Sequence, residues 1–162
     1  MLRKERVVTI GEHEYRMRQL GALEGRKLWL KLVHILAPAL ERLAKEKTLD
    51  EAALLGGLST LLERLDEATV ESLYAAFGRS CELHIVDDKG ERWPKLEGAV
   101  FDEHFAGNYL AMSQWLAEGV AFNFLPFGSD GSLGDLLATV RQSVAASKPS
   151  SPTTSTGSSG AS

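Results

Sequence analysis

The chain has one cysteine, Cys81. No internal disulfide can form, and a reducing compartment suits such a protein. No apolar run approaches the ~18–20 residues that a membrane-spanning helix needs. Residues 1–6 are charged, and the apolar run behind them, Val7 to Ile10, is too short and too interrupted for a signal peptide. Basic charge is not in excess. A net charge of -4 and a pI near 5.6 lack the electrostatic footprint of a general nucleic-acid binder. The arginines and lysines of the first 27 residues are interleaved with Glu5, Glu12, Glu14 and Glu24, the pattern of a solvated surface.

Catalytic signatures are missing too. Gly56-Gly57 and Gly128-Ser129-Asp130-Gly131 lack the strand–loop–helix context of a phosphate loop or dinucleotide fingerprint, and Ser59, Thr60 and Ser80 lie in no nucleophile elbow. Cys81 and His84 have a C-x-x-H spacing, but residues three apart on a strand face opposite ways, and no second pair completes four ligands. Asp87-Asp88 reads as a turn, since a calcium loop needs six or more oxygens. His104, behind Asp102 and Glu103, is a formal general base; the carboxylates are better explained as complements to a helix dipole. His13 and His34 have no partner pattern. The sequence therefore predicts no enzyme, no metal and no cofactor.

What is present is ordinary globular composition, 44% hydrophobic and 25% charged, in a length that suits one domain. That domain is predicted over residues 1–144. From Ala145 to Ser162 the chain is almost wholly Ser, Thr, Gly, Ala and Pro, which cannot bury enough apolar surface to offset ordering entropy. This segment is predicted to be a disordered tail, either native or appended.

The fold class is α+β and mainly helical. Val7–Ile10 and Tyr15–Arg18 alternate as the strands of an N-terminal β-hairpin around Gly11-Glu12-His13. A helix from about Ala22 to Lys45 has so wide an apolar surface that it is predicted to be central and packed on more than one side, with Pro38 kinking or restarting it. Thr48 to Glu51 forms a capping box for a second helix reaching about Leu65, in which Gly56-Gly57 implies either close packing or a break. Asp66 caps a third, ended by Gly78. Cys81–Val86 alternates as one strand, turns at Asp87–Gly90 and returns through Glu91–Trp93, a second short β-hairpin. One long C-terminal helix is predicted from about Asp102 to Phe122, with Tyr109 on its apolar stripe. A short amphipathic helix is predicted after Ser132.

The stretch Val120 to Gly128 is the densest in large apolar residues. Phe122, Phe124, Leu125 and Phe127 fall within a few positions, and Pro126 blocks helix continuation. Aromatics at a helix end are either core or docking surface. Both readings stay open for Phe122 and Phe124, whereas Phe127, beyond the proline, favours contact.

The order of segments also resembles a known family. The features are Glu14-Tyr15-Arg16-Met17-Arg18-Gln19-Leu20 closing the hairpin, Leu36-Ala37-Pro38-Ala39-Leu40, Cys81-Glu82-Leu83, Phe101 to Gly107, and Ala121 to Phe127. Over Gly11 to Gly128 they resemble the tail assembly chaperones of long-tailed bacteriophages. The resemblance implies a non-enzymatic protein of the host cytoplasm, absent from the mature virion. Its partner would be the tape measure protein, kept soluble before tail tube polymerisation; the tail tube protein and a second copy of the chain are further partners it admits. No nucleic acid or membrane partner is implied. Phe122, Phe124, Leu125 and Phe127 are the partner-binding candidates. The alternative is a structural minor tail or connector protein of the particle.

Overall fold

A computed structural model describes residues 3–44 and 51–124. Thr48, Leu125, Phe127, the helix expected after Ser132 and the tail from Ala145 lie outside the described residues. The described chain is α+β and mainly helical: a small sheet covered on one face by helices.

Strands β1 (Glu5–Ile10) and β2 (His13–Arg18) form an antiparallel hairpin in which Ile10 pairs with His13. The loop is thus Gly11-Glu12. Gly11 has φ 61° and no described non-glycine residue has positive φ, which makes this a type II′ turn. Period-two alternation sends Val8, Ile10, Tyr15 and Met17 into the core, while Arg16 and Arg18 face outward.

Helix α1 (Ala22–Ala44) follows. It is amphipathic rather than central: Leu28, Leu32, Val33, Leu36 and Ala37 are buried, while Leu30, Lys31, His34 and Pro38 are exposed. It runs through Pro38 without restarting. The hydrogen bond that Pro38 cannot make would have gone to His34, and both residues lie on the solvent side, where water can satisfy the freed carbonyl.

Helix α2 (Glu51–Leu62) also runs through its glycines, and nothing lies within 4 Å of where a Gly56 side chain would sit. Neither expected reason, a break or close packing, holds at Gly56. Helix α3 (Glu67–Arg79) begins at Asp66, whose carboxylate accepts from the Thr69 amide at 2.9 Å and the Thr69 hydroxyl at 2.7 Å. Those bonds lower the Asp66 pKa. Gly78 lies inside α3 instead of ending it. A side chain there would run into the Leu96 carbonyl, so this glycine permits a close approach.

The next strand is split. Strand β3 (Cys81–Leu83) joins β2, with Met17 opposite Cys81 and Tyr15 opposite Leu83, giving the order β1-β2-β3. After His84 the chain turns out of that sheet as β4 (Ile85–Asp87), which among the described residues pairs only with β5 (Gly90–Arg92). The expected single strand therefore serves two sheets.

The expected long last helix is two. Helix α4 (Ala99–Phe105) stops at Ala106, Gly107 takes φ 73°, and α5 (Tyr109–Phe124) starts afresh. The Asn108 side chain accepts from the Ala111 amide at 3.2 Å and caps the new helix. α5 is the enclosed helix, lying against α2, α3, α4 and β1. Trp115, Leu116, Ala117, Gly119, Val120 and Ala121 are all buried.

Trp115 is fully buried and organises the aromatic core. Phe77 and Phe101 meet it edge-on with centroids at 6.3 and 5.6 Å, and Phe105 lies at 5.7 Å. Its indole N–H donates to Cys81 Sγ at 3.4 Å. Burial raises the Cys81 thiol to about 11 against that bond. A buried, protonated thiol beside an indole is an inert core group.

Candidate functional site

The end of α5 is anchored by a single asparagine. Asn123 accepts from the Leu20 amide at 2.8 Å and donates to the Gly119 carbonyl at 2.9 Å. This ties the last turn of α5 to the junction of β2 and α1. Phe122 and Phe124 flank it, both half-buried against the core. The Phe124 ring is 5.9 Å from Trp29 and 6.4 Å from Phe77. The two aromatics thus have one side in the core and one in solvent, a shelf on which a partner could add contacts. Leu125 and Phe127, the other two candidates, are not described.

Six further large apolar residues are exposed among the described residues, Val7 and Val86 on strands and four on helices. Leu23 and Leu30 are 79% and 50% exposed and, seven apart, share one face of α1. Tyr109 and Leu110 are 70% and 72% exposed at the start of α5. The sequence placed Tyr109 on a buried stripe. The break at Gly107 moves it to a helix start, off that stripe. Leu110 borders a shallow cleft of about 310 Å³ reached also by Ile10, His13, Asn108 and Gln114. Exposed apolar residues of this kind mark interaction sites when they cluster. No sequence signal found the four on helices, because each fits a helical apolar pattern.

The polar candidates are occupied structurally. His104 Nε2 and Tyr15 Oη share a 2.7 Å hydrogen bond, and His13 meets the His104 ring edge-on at 4.7 Å. Burial, helped by His13, lowers the His104 pKa. Asp102 and Glu103 are exposed and make no bond to it. His84 stacks on Trp93 at 4.3 Å between Glu14 and Glu91, with nitrogen–oxygen distances of 3.0 and 2.8 Å. Cys81 and His84 are not brought together. Among the described residues no group of three or more His, Cys, Asp or Glu could hold a metal, and no helix is long and apolar enough to cross a membrane.

The candidate site is therefore a set of apolar surfaces on a helical core. Compared with known families, residues 11–134 match the family described as phage tail assembly chaperone protein. No curated protein and no solved structure matches the chain.

Proposed function

Because this chain belongs to the phage tail assembly chaperone family, we propose that it binds the tape measure protein and keeps it soluble before the tail tube polymerises around it. The observation that carries this reading is the family match over residues 11–134. The surface is consistent with it. An extended helical client exposes apolar stripes that aggregate, and helix-in-groove contact can cover them. Coverage must be released when the tube arrives, so several modest contacts suit the task better than one tight one. The half-buried Phe122 and Phe124 and the exposed Leu23 and Leu30 are contacts of that kind. In this reading the protein works without catalysis in the host cell and leaves before the particle is complete.

Leu125 and Phe127, next in the sequence and outside the described residues, are proposed as further client contacts. Leaving a large aromatic in water costs about 1.5–3 kcal/mol relative to burying it, which a client would recover. The test is co-expression with the tape measure protein of the same phage. Wild-type protein is expected to keep the client in the soluble fraction and to co-purify with it. Leu125→Ser with Phe127→Ser is expected to lose the client while still unfolding cooperatively with urea. Retention of the client by that variant would remove these residues from the site. A client that is soluble without the protein, or a protein found in purified virions, would overturn the function.

A further inference from the structure

A second surface differs from the apolar ones in chemistry. The start of β1, the end of β2, the start of α1 and the end of α3 enclose a shallow pocket of about 230 Å³. Arg3, Arg18, Arg79 and Lys95 line it, against two carboxylates, Glu24 and Glu82. A local excess of positive charge thus sits on a chain whose net charge is -4.

The carboxylates are committed elsewhere in the cluster. Glu24 pairs with Arg79. Glu82 lies 2.9 Å from Arg16 and 3.7 Å from Arg18, which also pairs with Glu5 at 2.8 Å. Arg3 and Lys95 have no carboxylate partner among the described residues. The Lys95 backbone forms a β-bridge with Glu82, and next to Arg3 the Gln19 amide donates to the Lys4 carbonyl at 3.0 Å.

Arg3 is placed against electrostatic preference. A side chain on Gly21 would come within 3.2 Å of its guanidinium, so Arg3 lies beside the residue that precedes the 23-residue α1. A helix start carries positive partial charge and favours anions, not cations. Arg3 and Lys95, both exposed at this pocket, are thus two cations with which an entering anion could pair.

We propose that this pocket binds carboxylate side chains of an acidic segment in the polypeptide that the chain holds. The inference rests on the reading that the protein binds a tail polypeptide, and it adds a charged contact to the apolar ones. Such a contact steers encounter and fixes register while contributing little to affinity. It also suits reversible holding, because salt weakens it.

The experiment uses full-length ¹⁵N-labelled protein titrated with a hexaglutamate peptide and, separately, with inorganic phosphate. The peptide is expected to shift the backbone amides of Gly21 to Glu24 and Ser80 saturably at low salt. Arg3→Glu with Lys95→Glu is expected to weaken that binding on the order of tenfold, whereas Lys89→Glu, in the β4–β5 turn, leaves it unchanged. In co-purification the double variant is expected to hold less client than wild type at low salt and to lose less of it as salt is raised. Absent shifts, equal shifts in the double variant, or phosphate acting as strongly as the peptide would overturn the proposal. So would charge-dependent dimerisation without a peptide effect, which gives the pocket to a second copy. Failure of wild-type protein to bind any tail polypeptide would instead sink the functional reading, and the peptide titration would still report on the pocket.

Discussion

Single residues set the pH range in which this protein is stable. His104 is held below its ordinary value by burial and by His13. As pH falls below about 6.5 the unfolded chain takes that proton first. Stability is then full above this range and lost as pH falls through the folded value. On the alkaline side, Cys81 is raised from 9.0 to about 11 and Tyr15 from 10.0 to about 12, both chiefly by burial. Here the unfolded chain loses its protons first, so stability is full below pH 9 and declines above it. Urea midpoints against pH are expected to show this plateau. His104→Asn should flatten its acid edge, and Cys81→Ala should delay the alkaline decline until Tyr15 begins to contribute. Two glycines give a sharper test of packing. A side chain on Gly119 would stand 2.7 Å from the Phe77 ring, which is wedged between Trp115 and Phe124. Gly119→Ala is expected to destabilise by ~1–3 kcal/mol. Gly56→Ala, in open space on a helix, is expected to stabilise by ~0.5–1 kcal/mol. Equal effects in thermal melts would refute this packing assignment.

Among the elements, α5 and its neighbours carry the fold. Phe105→Ser and Trp115→Ser each open a hole in the aromatic core and bury a hydroxyl. Losses of roughly 3–5 kcal/mol against a total of about 5–15 kcal/mol should leave little cooperative unfolding by near-ultraviolet dichroism. Asn108→Ala removes the cap of α5 and is expected to cost ~1 kcal/mol. These elements also show what could be read in advance. The first hairpin was legible because Val8, Ile10, Tyr15 and Met17 alternate around a glycine turn. The Asp66 cap was legible because its side chain acts within its own turn. The α4–α5 break was not, because Phe105, Tyr109 and Met112 keep helical spacing across Gly107 and outweigh it. The change of sheets at His84 was hidden because the partner of Cys81–Leu83 is β2, far away in the chain. At the site, Phe122 and Phe124 were legible as large apolar residues at a helix end. Their half-buried state was not, since it depends on Trp29 and Phe77 arriving from other helices.

For the whole molecule, the segment 148–162 contains no large apolar side chain. Its deletion is expected to leave the melting temperature nearly unchanged; a large drop would show that it packs on the domain. The strand order β1-β2-β3 has a consequence for the chain as it leaves the ribosome. The hairpin is local and closes within about 1–10 μs, but Met17 must wait for Cys81. At about 5–20 residues per second, synthesis of that interval takes roughly 3–13 s. Throughout it, one edge of β2 offers unpaired amides and carbonyls to any neighbouring nascent chain. Glu14, Arg16 and Arg18 place charge along that edge before Glu82 arrives to neutralise part of it. Arg16→Thr with Arg18→Thr is therefore expected to increase inclusion bodies under rapid expression far more than it lowers the stability of the purified protein. During its own synthesis the chain is thus guarded by its arginines.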